Sequence, residues 1–64
     1  MRETEFWRRM THQLGDGYAR VWADQVVLSE LGDRTVLQSL DDKIACKTIW
    51  HAVWRFLELP DKEL

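Results

Sequence analysis

The chain contains little that breaks a helix. It has one proline, Pro60, and three glycines, Gly15, Gly17 and Gly32. Between these breakers the apolar residues fall at helical spacing, not in strict alternation. Cysteine is also scarce. Cys46 stands alone, so no intramolecular disulfide forms, and a metal site would need several other ligands nearby. A lone thiol fits a reducing, cytoplasmic setting. No apolar run approaches the roughly 18 residues of a membrane span. The opening Met1-Arg2-Glu3-Thr4-Glu5 leads straight into a charged helical pattern with no signal-peptide core. Nor is there an excess of positive charge. Nine basic and eleven acidic residues give a formal charge of −2, which argues mildly against a domain built to hold nucleic acid.

What the chain does have is aromatic area. Four tryptophans, two phenylalanines and one tyrosine sit within 64 residues: Trp7, Trp22, Trp50, Trp54, Phe6, Phe56 and Tyr18. A chain this short buries only about 60% of its unfolded surface. Large side chains, each able to remove on the order of 150–250 Å² from water, supply what disulfides or metals supply in other small domains.

The spacing predicts an all-α fold, a single domain over 1–64 made of four helices. The first runs from about Glu5 to Leu14, with Thr4 as N-cap and Phe6, Met10 and Leu14 as its stripe. Gly15 stops it. The second, capped by Asp16, runs from about Gly17 to Leu31, with Ala19, Trp22, Ala23, Val26 and Val27 facing the core and Leu28 and Leu31 extending that face. The pattern also admits a bend or break near Asp24-Gln25. Thr35-Val36-Leu37-Gln38 is a capping-box sequence opening a short third helix to Asp41, with Val36, Leu37 and Leu40 buried. The fourth runs from about Cys46 to Leu57, with Cys46, Ile49, Trp50, Val53 and Leu57 as its stripe and Trp54 and Phe56 at the edges. Residues 61–64 read as a frayed tail.

Chemistry is sparse. His12 and His51 fall on different helices. No serine, cysteine or carboxylate stands at a spacing that identifies a nucleophile–base pair, so no enzyme activity is expected. Asp41 and Asp42 read as solvated acids in a turn. Cys46 and His51 are five apart, a poor spacing for shared ligation, and there is neither CxxC nor HxxxH. No cofactor is expected. Cys46 reads as a small buried hydrophobe.

Binding is the better prospect. The segment Thr35 to Trp50 has the order of a helix-turn-helix: a capped short helix, a tight turn and a longer helix. Lys47, His51 and Arg55 lie at i, i+4 and i+8 on the outer face of the fourth helix, where DNA phosphates or base edges would be met. Against this, Lys43 stands where such turns favour glycine, Asp41 and Asp42 would repel phosphates, and Glu58 extends the same face. An aromatic patch is the alternative. Trp54 or Phe56, if partly exposed, would anchor a protein partner, with Arg8, Arg9 and Arg55 as a basic rim. A homodimer that buries the apolar excess is a third reading.

Several longer patterns run through the chain: Met1-Arg2-x-Thr4-x-Phe6-Trp7-x-Arg9-Met10, Gly15-x-x-Tyr18-Ala19, Val27-Leu28-x-x-Leu31-Gly32-x-Arg34-Thr35-Val36-x-Gln38, Lys47-x-x-Trp50-x-Ala52-Val53 and Leu59-Pro60. Together they resemble the actinobacterial family called domain of unknown function 3046, over nearly the whole length. The resemblance implies a small helical protein without an assigned activity. It also implies genes often found beside those for recombinase A and its regulator RecX, which by association suggests DNA repair or recombination. It brings no catalytic or cofactor residues. The chain departs from the family pattern at Asp33 and Lys43, where glycine is expected, at Ala45, where an aspartate cap is usual, and at Trp54, where a small residue is usual.

Overall fold

Two acidic side chains, rather than a capping hydroxyl, open the first helix. In the computed structural model, which describes residues 1–64, α1 spans Glu3–Leu14. Arg2 takes the N-cap position in extended backbone, and no side chain caps it. Thr4, the expected cap, lies within the first turn. Glu3 and Glu5 lie in that turn, where carboxylates favour the positive end of the helix dipole. Phe6 and Met10 are wholly buried, and Leu14 is half-buried.

Gly15 ends α1 at φ 90°, ψ 156°, a region open in practice only to glycine. The helix α2, Asp16–Gln25, starts at the next residue. Gly15 therefore serves as C-cap of one helix and N-cap of the next. Asp16, the expected cap, is instead the first residue of α2 and caps nothing with its side chain.

The largest departure from the sequence pattern follows Gln25. The second helix does not continue to Leu31. Val26 turns extended (φ −84°, ψ 122°), and Val27–Leu28 form a strand, β1. It pairs antiparallel with β2, Arg34–Thr35, Val27 opposite Thr35 and Leu28 opposite Arg34. Between them lie a 3₁₀ turn, Ser29–Leu31, and Gly32 in the left-handed conformation at φ 73°. The cause is local. Val26 and Val27 are stiff at χ1 and suit extended backbone. The pleat sends Val27 to solvent and Leu28 to the core. Leu28 and Leu31 are buried as expected, but by a hairpin rather than a helix.

The helix α3, Val36–Asp41, begins with the capping box that its sequence announces. The Gln38 N–H donates to Thr35 Oγ1 at 3.1 Å, and the Thr35 N–H donates to Gln38 Oε1 at 2.9 Å. Val36 is buried. Leu37 and Leu40 are only half-buried, and Ser39 takes the inner position instead. Its hydroxyl donates to the Thr35 carbonyl at 2.9 Å, which makes burial of a polar residue tolerable.

The ends of α3 and of α4, Cys46–Phe56, are built alike. At α3 the Ile44 N–H donates to the Ser39 carbonyl and the Lys43 N–H to the Leu40 carbonyl, at 3.0 and 3.1 Å. At α4 the Leu59 N–H donates to the Trp54 carbonyl and the Glu58 N–H to the Arg55 carbonyl, at 3.1 and 3.2 Å. These are the paired bonds of a Schellman cap, whose pivot residue is left-handed and usually glycine. Here the pivots are Lys43 (φ 65°) and Glu58 (φ 54°). A Cβ in that region costs about 1–2 kcal/mol. Lys43→Gly and Glu58→Gly are each expected to raise the unfolding free energy, by about 0.5–1 kcal/mol once the added freedom of the unfolded glycine is deducted. Chemical denaturation followed by circular dichroism checks the sign.

Helix α4 carries the most heavily buried face. Ile49, Trp50, Ala52 and Val53 line it. Cys46, the first residue of α4, is half-buried rather than buried and packs at the margin of the core. Contacts run α1–α2, α2–α3, α3–α4 and α4–α1, so the helices close a ring around one core. Phe6 meets Trp50 edge-on, with centroids 6.2 Å apart at 85°. Trp7 is half-buried, and the Arg20 guanidinium lies over its ring at 3.9 Å. Tyr18 is exposed, so it contributes less to the core than its size suggested.

The tail is not frayed. Residues Asp61–Glu63 form a 3₁₀ turn that folds back over α1 and α4. The Trp54 indole N–H donates to the Pro60 carbonyl and the Trp50 indole N–H to the Glu63 carbonyl, both at 2.9 Å. Buried or half-buried indoles need an acceptor, and the tail main chain supplies it.

Candidate interaction surfaces

Two clefts mark the surface. The first lies between β1, the 3₁₀ turn after it and the last turns of α4. It encloses about 240 Å³ and is lined by Val27, Leu28, Ser29, Glu30, Ala52, Arg55 and Phe56. The pleat of β1 turns Val27 outward, leaving it 54% exposed. Phe56 is 48% exposed at the edge of the α4 stripe, where its ring leans on Trp22 with centroids 5.9 Å apart. An ion pair between Arg55 and Glu30 closes the rim. On α2, Tyr18 and Val21, both shortly before Trp22 in sequence, are also about half-exposed.

The second cleft, about 330 Å³, lies between α1 and the tail turn and has no hydrophobic lining residue. Glu5, Arg8, Arg9, His12, Lys62 and Glu63 surround it. Glu5 is its electrostatic centre. Arg9 Nε donates to the Glu5 carboxylate at 2.9 Å, and Arg8 donates to both its oxygens at 2.8 Å. The hydrogen bonds from Arg9, and then from Arg8, hold the Glu5 carboxyl below its ordinary pKa. A depressed folded-state pKa means that the pairing stabilises the fold above the unfolded pKa and is lost as pH falls through the folded one. In an NMR titration the Glu5 carboxyl should therefore titrate below an ordinary glutamate, and Arg9→Gln should move its midpoint upward. An unchanged midpoint would show that Arg9 does not pair with Glu5 in solution.

The six residues that the sequence singled out separate into two groups. Arg8 and Arg9 lie on α1. Arg8 is largely exposed, whereas Arg9 is fixed: besides Glu5, its Nη1 donates to the Leu64 main-chain oxygen at 2.7 Å, and its guanidinium lies 5.8 Å from the Trp50 ring centre. Trp54 joins this group through the tail. Lys47, His51 and Arg55 lie along α4, with Lys47 exposed, His51 half-buried and Arg55 held by Glu30. The anchor at the apolar groove is Phe56, beside Val27 and Glu30. Val27 and Glu30 escaped sequence reasoning because both were placed on a helix that does not exist at those positions. The adjacent β-branched pair Val26-Val27 was the signal available, since such residues suit extended backbone.

No group of three or more His, Cys, Asp or Glu side chains converges to hold a metal. No helix is long and apolar enough to cross a membrane. Residues 1–62 match the model of the family described as Protein of unknown function (DUF3046). The chain belongs to this family. The match covers α1 to α4 and the start of the tail turn, so the hairpin and the apolar cleft lie within the family domain, as do all residues of the polar cleft except Glu63. No curated protein and no solved structure matches the chain.

Proposed function

We propose that this member of the family is a small, non-catalytic, cytoplasmic interaction module that binds a protein partner through the groove between β1 and α4. The observation that carries the reading is the pair Val27 and Phe56, each about half-exposed on either side of one groove. The groove falls short of the roughly 300–1,000 Å³ typical of small-molecule sites, and its size suits one or two apolar side chains. An aromatic anchor ringed by polar groups is the arrangement that concentrates binding energy in protein interfaces. Arg55 and Glu30 form that ring, so the matching partner segment presents an apolar side chain flanked by charges of both signs. DNA repair or recombination is the setting that the family resemblance suggests.

Phe56→Glu tests the reading. A partner captured from native extract by the unaltered chain should be lost with Phe56→Glu and kept with Lys47→Glu, both variants having helical circular dichroism. Equal capture by a folded Phe56→Glu variant would overturn it.

A second reading, DNA contact through α4, is supported by the left-handed backbone of Lys43. The turn between α3 and α4 keeps the conformation for which helix-turn-helix turns favour glycine, despite the substitution. Arg55 counts against it, because Glu30 neutralises the charge. Anisotropy titration of a labelled duplex at low salt decides: binding that falls steeply with salt and with Lys47→Glu supports it, and no binding removes it.

A further inference from the structure

The tail is held in an unusual way. Three side-chain donors from two helices converge on it, and every acceptor is a main-chain oxygen. Trp54 Nε1 takes Pro60, Trp50 Nε1 takes Glu63 and Arg9 Nη1 takes Leu64. The donors are preset. Trp50 is wholly buried, and Arg9 is fixed by Glu5 from behind. The tail side chains contribute little, since Glu63 is half-buried and Pro60, Asp61, Lys62 and Leu64 are exposed. Upstream, Leu59 packs against the core.

The connection into this tail is strained. Phe56-Leu57-Glu58-Leu59 is made of residues that accept a helix, Leu and Glu being strong formers. Yet Glu58 is left-handed at φ 54°. If α4 ran on through Glu58, that strain would vanish and the tail would leave its own groove. Pro60 would then stop the helix. The contacts thus released can be remade, unchanged, on a second copy whose own tail has done the same. A short hinge under strain favours such an exchange.

We propose that the surface formed by Arg9, Trp50 and Trp54 is a main-chain recognition site, filled in cis by Pro60–Leu64 and filled in trans by the same segment of a second copy, giving a reciprocal tail-exchanged dimer. The site is separate from the groove at Phe56, so either assignment stands or falls alone.

Sedimentation velocity on the full chain, up to about 1 mM because a tethered tail competes at millimolar effective concentration, tests it. The expected result is a concentration-dependent dimer. Glu58→Gly, which accepts the left-handed backbone, should weaken the dimer by about tenfold or more, whereas Glu58→Ala, which keeps the strain, should leave it in place. In a mixture of ¹⁵N-labelled and unlabelled protein, intermolecular contacts should link the Trp54 indole N–H to Pro60–Leu64 of the other copy. A monomer throughout, a dimer indifferent to Glu58→Gly, or a dimer without those intermolecular contacts would each overturn the proposal.

Discussion

Trp50→Ala is expected to lower the unfolding free energy by about 3–5 kcal/mol, the range for removing a wholly buried large aromatic. Trp50 lies at the meeting of α1, α4 and the tail. Its loss removes the edge-on contact with Phe6, the ring beside Arg9 and the hydrogen bond to the Glu63 carbonyl. At 0.05–0.15 kcal/mol per residue, a chain of 64 residues has roughly 3–10 kcal/mol in all. The variant should therefore lose between about a third and all of its stability, with a urea midpoint lowered in proportion. Trp50→Phe separates the contributions. It retains most of the packing and loses the indole donor, so it should fold and cost less, while amide exchange at Glu63 and Leu64 accelerates. A Trp50→Ala variant of nearly native stability would mean that the ring is not central to the core.

Gly15→Ala should cost about 1–3 kcal/mol, and Gly17→Ala should stabilise the chain by about 0.5–1 kcal/mol. Neither Cβ would meet any atom within 4 Å, so collision with neighbours decides neither result. The backbone decides both. Gly15 stands at φ 90°, ψ 156°, where an alanine Cβ is unfavourable, and it joins α1 to α2 without an intervening loop. An alanine there would force a φ change that swings α1 away from α2. Gly17 lies inside the first turn of α2, where alanine reduces the freedom of the unfolded chain and improves helix propensity. Thermal unfolding of the two variants, two positions apart and opposite in sign, checks the reasoning. Equal effects of one sign would contradict it.

The same contrast runs through the rest of the fold. Gly15, the capping box at Thr35 and Gln38, and the stripe of Ile49, Trp50 and Val53 were legible because each depends on residues within one turn of one another. The placement of Val26 to Leu31 was not. A run of apolar residues can be buried by a helix or by a hairpin, and spacing alone does not choose between them. The half-exposure of Phe56 and the ion pair of Arg55 with Glu30 follow from that hairpin, so the apolar groove was hidden along with it.

The tail shows the remaining gap. Asp61-Lys62-Glu63-Leu64 has no apolar pattern, so its sequence predicts fraying. Its order comes from donors on α1 and α4 that are distant along the chain and meet only in the folded state. The sequence was enough to read that the chain is helical, where α1 ends and α3 begins, most of the buried faces and the family to which the chain belongs, because those depend on local spacing and on residue identity. The break near Gln25, which the pattern left open, was settled only by the fold, as were the groove shared by Phe56 and Val27 and the hold of the tryptophan N–H groups on the tail. Those depend on which distant surfaces meet and on which polar groups then require a partner.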